Sequence, residues 1–133
     1  MDALIARALA IGPTSSRNER TVDITTIGAR SGLPRRLEIY FWRVEGRWYL
    51  ANMPTPRSWY ANLLTHPHFV FHLKHDVRAD LPATAVPVTD PATRRRVLAA
   101  IIEEAQGHGQ DLGTTDLEAW VARSPLVEIH FDD

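Results

Sequence analysis

Three strand-like stretches follow one another with only turn signals between them, and this limits the fold more than any other feature of the chain. Val22–Ile27 is rich in β-branched residues. Leu37–Val44 alternates, with Leu37, Ile39 and Phe41 on one face and Glu38, Tyr40 and Trp42 on the other. Gly28–Pro34 between them has the two glycines and the proline of a tight reversal, and Glu45-Gly46 turns the chain into a third strand, Arg47–Ala51. A run of hairpins with no crossover helix predicts an antiparallel meander.

The rest of the chain mixes helices and strands. Thr55-Pro56 reads as an N-cap and first-turn proline for a short helix that pairs Trp59 with Leu63 and Tyr60 with Leu64 and stops at Pro67. Two strands follow, His68–His75 and Val77–Val88. Pro82 and Pro87 remove ladder donors from the second, which predicts an edge or a bulge. Asp90-Pro91 opens a helix with Val97, Leu98, Ile101, Ile102 and Ala105 on one face and Arg94, Arg95, Glu103 and Glu104 outside it. Gly107–Gly113 reads as a connection, Thr115-x-x-Glu118 as a capping box before a short helix, and Leu126–Phe131 as a last strand. Without regular βαβ alternation the order predicts an α+β fold, a mostly antiparallel sheet partly closed into a barrel.

At 133 residues, 44% hydrophobic, the chain suits one domain over 1–133: an N-terminal helix 2–11, a barrel core 21–90, and C-terminal helices and strand 91–131. Asp2–Gly12 resembles a signal peptide in its apolar content. Asp2, Arg7 and the missing basic start make it an amphipathic helix instead. The longest uncharged apolar run, Val97–Ile102, is far short of the roughly 20 residues of a spanning helix, so no membrane insertion is expected. Fifteen basic against 16 acidic residues give no excess that would call for nucleic acid. The absence of cysteine removes thiolate metal sites and a cysteine nucleophile, and suits a reducing cytoplasm.

Two stretches carry candidate chemistry. Gly28–Arg36 gathers backbone N–H groups, the Ser31 hydroxyl and the guanidiniums of Arg30, Arg35 and Arg36 around one turn, an arrangement suited to a phosphate. An ordinary hairpin with solvated arginines has the same composition, so the turn alone does not choose. In Met53–Leu63, Arg57 stands at a helix N-terminus, and Trp59 and Asn62 share a face that offers an aromatic wall and a hydrogen bond. Plain burial of Trp59, with Asn62 capping nearby backbone, fits the same spacing. His66, His68, His72 and His75 invite a metal, but His68 and His72 would lie about 13 Å apart on a strand, too far for one ion. Arg94-Arg95-Arg96 reads as a solvated helix face.

Taken together, Ile24-Thr-Thr-Ile-Gly28-Ala-Arg-Ser31-Gly32-Leu-Pro34-Arg35 and Pro56-Arg-Ser-Trp59-Tyr60-Ala-Asn62-Leu63-Leu64-x-x-Pro67 resemble the deazaflavin (F420)-dependent nitroreductase family over Val22–Val88. The resemblance implies a split β-barrel of the FMN-binding type, a homodimer, and coenzyme F420 as hydride donor to a quinone, a nitro compound or an activated alkene, with FMN as the alternative cofactor. It implies that Arg30, Ser31, Gly32 and Arg35 contact the phosphate-bearing tail. Ala51, Asn52, Met53, Trp59 and Asn62 would then border the ring, with Tyr60 or Asn52 as proton donor. Where family members often carry Ser-Lys-Gly-Gly, this chain has Asn52-Met53-Pro54-Thr55, and Arg57 stands in for the missing lysine charge. The tyrosine-rich C-terminal segment of the nitroreductases is replaced by Trp120 and Leu126–Phe131. A non-catalytic carrier of a cofactor, tetrapyrrole or lipid on the same barrel is the rival reading.

Overall fold

The computed structural model describes residues 2–132. Six antiparallel strands close into a barrel in the order β1-β2-β3-β6-β5-β4: β1 Thr21–Ile27, β2 Pro34–Val44, β3 Arg47–Ala51, β4 His68–Lys74, β5 Arg78–Pro87 and β6 Leu126–Phe131. The first three form the expected meander, and β1 also pairs with β4 to close the cylinder. Alternation decides what fills it. Val22, Ile24, Ile39, Phe41, Leu50, Phe69, Phe71, Ala83, Ala85, Val127 and Ile129 point inward, and α1 (Ala3–Leu9) adds Leu9 to the same core. Phe71 meets Phe41 and Phe131 edge-on, each pair with ring centroids 5.1 Å apart.

A second core lies outside the barrel. There α4 (Pro91–Gly107) and α5 (Leu117–Arg123) cover Trp42, Tyr49, Ala51 and Leu126 with Val97, Leu98, Ile101, Ile102, Ala105 and Trp120. Both faces of β2 and β3 are therefore covered locally, which is why Tyr40 and Trp42 stand where an open sheet would carry polar residues.

Five local expectations are corrected. The helix after β3, α3 (Ser58–Thr65), has Arg57 as its N-cap with no side-chain cap bond, so Thr55-Pro56 belongs to the approach. Asp116, not Thr115, caps α5, accepting from the Glu118 N–H at 3.1 Å. A one-turn helix, α2 (Arg17–Arg20), was not expected, although Ser16 and Glu19 form its capping box. The strand with two prolines is no edge of the sheet, since β5 runs between β4 and β6. Pro82 lies just past the last β5–β6 pair, Ala83 with Phe131, so its missing donor deprives no ladder partner there. Arg94 is buried rather than solvated; its guanidinium donates to the carbonyls of Val88, Trp120, Val121 and Ser124 at 2.7–3.3 Å.

The helix-free outer face of β2, β1, β4 and β5 carries a polar network. Asp23 accepts from Arg36 Nε at 2.9 Å and Lys74 Nζ at 2.7 Å, and Lys74 also pairs with Glu38. His72 is buried between Thr25 Oγ1, 2.7 Å away, and Asp80 Oδ1, 2.6 Å away, while His68 bonds Thr84. Burial opposes ionisation of Asp23, but the hydrogen bonds from Lys74 and Arg36 outweigh it and hold the carboxyl below its usual range. A depressed carboxylate stabilises the fold at neutral pH and stops doing so as pH falls below about 4. Asp23→Asn should therefore cost about 1–2 kcal/mol at pH 6 and much less near pH 3, as read from urea unfolding at the two pH values.

Candidate functional site

The barrel is split beside β2. Its pairing with β3 covers only Phe41–Val44, whereas its pairing with β1 covers Pro34–Tyr40, so residues 34–40 of β2 have no strand on their other side. Beyond Ala51 the chain leaves the sheet through Asn52–Arg57 and enters α3, which opens a cleft of about 370 Å³ along that free edge. Backbone N–H and C=O groups that would have paired with β3 face the cleft and need partners there. Its volume is that of a small-molecule pocket.

The cleft brings together Ala51, Asn52, Met53, Arg57 and Trp59 from the sequence-derived set. Asn52 Oδ1 accepts from Trp59 Nε1 at 2.6 Å, which fixes the amide and leaves its NH₂ as a free donor. Tyr60 lies outside the lining, half-buried and edge-on to Trp59 with centroids 5.9 Å apart. Tyr40, Trp42, Ile101 and Leu112, which the sequence reading does not name as site residues, also line the cleft, together with Trp120. The signal was present in the two aromatics that share a face of β2 with Glu38. The connection between α4 and α5 closes the cleft's far wall, where a Cβ on Gly113 would press on Met53 Sδ at 3.0 Å.

Arg30, Ser31 and Gly32 lie in the exposed β1–β2 turn and Arg35 at the exposed start of β2, all outside the cleft lining, and the turn is tied to α3. Asn62 makes the tie: 7% exposed, it accepts from the Ala29 N–H at 2.9 Å and donates to Thr26 Oγ1 at 3.0 Å. It caps nearby backbone, the plainer of the two roles weighed for it. The turn is not the open cradle of N–H groups that its glycines suggested. Gly28 N donates to Leu33 O, Gly32 N to Gly28 O and Leu33 N to Ser31 Oγ, so only the Arg30 and Ser31 amides stay free. A Cβ on Gly28 would come within 2.4 Å of Ser31 Oγ, so a side chain there would turn the hydroxyl away from the Leu33 N–H that it accepts from. The guanidiniums are what remains for a ligand. Arg36 is paired with Asp23, while Arg30, Arg35 and Arg57 have no carboxylate within salt-bridge distance among the described residues.

A larger cavity of about 760 Å³ lies between α1, α2 and the β4–β5 turn. It is lined by none of the residues above, and its lysine is committed to Asp23 and Glu38. Among the described residues, the smaller cleft joins aromatic walls, a free strand edge and one uncompensated cation, Arg57.

A family model described as F420H(2)-dependent quinone reductase matches residues 8–118. Among curated proteins none matches the sequence. Among solved structures, the conserved hypothetical protein Rv2991 of Mycobacterium tuberculosis superimposes with a TM-score of 0.66 at 21% identity, covering 100% of this chain and 81% of that one. A structure described as F420-H2 dependent reductase (FDR-A) gives 0.56 at 21% identity over 85% of this chain and 94% of the other. An FAD-binding protein of Mesorhizobium loti gives 0.67 at 12% identity over 100% and 91%.

Proposed function

The chain belongs to the F420H(2)-dependent quinone reductase family, and from that membership we propose that it is a reductase whose cleft seats the ring of coenzyme F420 and passes reducing equivalents to a quinone, with nitro compounds and activated alkenes as further acceptors. The observation that carries the reading is an aromatic split in the barrel whose lining holds the unpaired Arg57, with two more unpaired guanidiniums nearby in sequence to its β2 wall, Arg30 in the β1–β2 turn and Arg35 at the start of β2. The residues fit the group: a planar ring needs flat apolar walls and amide partners, and its phosphate-bearing tail needs cations.

When bound, the reduced deazaflavin supplies the hydride, and the protein's part is positioning and shelter. Arg30 and Arg35, with the free Ser31 amide and the opening at Gly32, hold the tail; Arg57 replaces the absent lysine charge. Trp59, Ala51 and Met53 border the ring, and the Asn52 NH₂ and the free edge of β2 hydrogen-bond its polar rim. Asn62 acts at one remove by holding the turn against α3. Tyr40, Trp42, Leu112 and Trp120 exclude water from the acceptor side. With Tyr60 behind Trp59, the product's proton comes from solvent rather than from that phenol.

The same reading makes the protein a cytoplasmic homodimer, in keeping with a cysteine-free chain and a helix-free sheet face. No helix among the described residues is long and apolar enough to cross a membrane. The test is single-turnover reoxidation of the reduced cofactor, followed by the return of its oxidised absorbance, with menadione, a nitroimidazole and an activated enone. Fastest turnover with the quinone is expected. Tight binding without reoxidation by any of the three would favour the carrier reading and refute the reductase.

A further inference from the structure

The cleft does not end at Trp42. It continues into a recess of about 70 Å³ lined by Arg17, Arg20, Tyr40, Trp42, His108 and Gln110, three of which, Tyr40, Trp42 and Gln110, also line the cleft. A water's share of liquid volume is about 30 Å³, so the recess has room for one carboxylate or sulfonate and not for an extended chain.

Its chemistry is cationic and pre-formed. Arg20 is only 3% exposed. It pairs with Glu104, donates to the Gly12 carbonyl at 3.2 Å and the Ser15 carbonyl at 2.9 Å, and stacks over Trp42 at 5.0 Å, while its Nε has no hydrogen-bond partner. His108 Nε2 lies 2.8 Å from the Pro13 carbonyl, which can only accept, so that nitrogen carries the hydrogen. Glu104 neutralises Arg20, but Arg17 has no carboxylate within salt-bridge distance among the described residues. Among the described residues, no acidic side chain lines the recess. Asp111, in the adjoining wall, accepts from the Gly113 N–H at 2.9 Å.

We propose that this recess receives an anionic group carried by the electron acceptor, so that the favoured acceptor is a planar aromatic bearing a carboxylate or sulfonate on its ring. The inference rests on the reductase reading above, which places the cofactor's tail at the opposite, Arg30–Arg35–Arg57 end and leaves this end to the acceptor. Arg17 supplies the uncompensated charge, and Tyr40, Trp42 and Gln110 carry the ring's edge into the recess. The redox balance is unchanged: a quinone acceptor gains a hydride from the reduced cofactor and a proton from solvent and becomes the hydroquinone, while the cofactor, having lost two electrons with the hydride, releases one proton to solvent.

The experiment pairs binding with turnover. Calorimetry with the non-reducible probes naphthalene-2-sulfonate and 2-naphthol, on cofactor-free and cofactor-loaded protein, should give the sulfonate about tenfold tighter binding, and Arg17→Gln should abolish that preference. Arg17 is exposed and holds no other side chain, so the variant folds, and Arg17→Lys should retain part of the preference. In turnover, the kcat/KM ratio of 1,2-naphthoquinone-4-sulfonate to 1,2-naphthoquinone should fall about tenfold in the glutamine variant. Equal affinity for the two probes would overturn the proposal, and so would displacement of the bound coenzyme by the sulfonate, which would give the recess to the cofactor's tail. Failure of coenzyme F420 to bind at all would instead refute the reductase reading, with sulfonate preference on the cofactor-free protein still reporting on the recess.

Discussion

Arg94→Leu is expected to destabilise the protein by about 3–5 kcal/mol, more than any substitution in the cleft, because it leaves several carbonyls without a donor. The wild-type guanidinium sits in a ring of four carbonyl oxygens, from Val88 just past β5, Trp120 and Val121 in α5, and Ser124 before β6. No carboxylate is among its partners. Burial pushes its pKa down from the usual arginine value, yet an arginine retains its proton at any working pH and keeps donating. One side chain thereby joins α4 to the three segments that carry the second core. A leucine matches the apolar stem and abandons every hydrogen bond. Arg94→Lys should recover only a minor part of the loss, since one ammonium cannot reach four acceptors in the guanidinium's plane. Chemical denaturation measures both, and a drop in melting temperature of roughly 10–20 °C should accompany the leucine variant. A loss below about 1 kcal/mol would mean that water replaces the guanidinium freely and that Arg94 is no clamp.

The second large effect is on binding. Arg30→Ala combined with Arg35→Ala should weaken coenzyme F420 by about 10²–10³-fold, since each charge-assisted hydrogen bond to a phosphate oxygen contributes roughly 1.5–3 kcal/mol. Both side chains are exposed, and neither is paired with a carboxylate, so stability should hardly move. The same double variant should flatten the dependence of affinity on salt, because the screened attraction has been removed. A double variant that binds as tightly as wild type would remove the turn from the site and leave Arg57 as the cleft's own cation.

The meander of three strands and the α4 face were legible in the sequence because they depend on neighbours in the chain: alternation, turn chemistry and helical spacing. The association of the glycine turn with the Trp59 helix, a contact across 33 residues, came only from the family resemblance. Closure was only partly so. That β5 lies between two strands despite Pro82 depends on where β6 happens to stop, a long-range fact with no local mark. Arg94 was misread for a similar reason. An arginine between Thr93 and Arg95 looks solvated until the carbonyls of distant segments converge on it. The one-turn helix at Arg17–Arg20 did carry its mark, the Ser16–Glu19 box, and it matters beyond its size because it presents Arg17 and Arg20 to the end of the cleft.

In the site, the cleft takes in Ala51, Asn52, Met53, Arg57 and Trp59 from the sequence-derived set, while the amide cradle expected of the glycine turn is not there. The turn's amides are mostly spent on its own hairpin, so an anion there would rely on guanidiniums, and Asn62 serves as the pin that sets the turn against α3. The aromatics Tyr40 and Trp42 were not read as site residues because a cleft formed by a missing strand partner is a property of register. Only the offset between the β1 and β3 pairings of β2 reveals it.

The central claim is that the split beside β2 binds a deazaflavin through its anionic tail. Fluorescence titration of the protein with coenzyme F420, and separately with FMN, tests it most directly, followed by menadione added to the reduced complex. Micromolar, salt-sensitive binding of F420, weaker binding of FMN and reoxidation by the quinone are the predicted results. Binding of FMN alone, or of neither, would contradict the account.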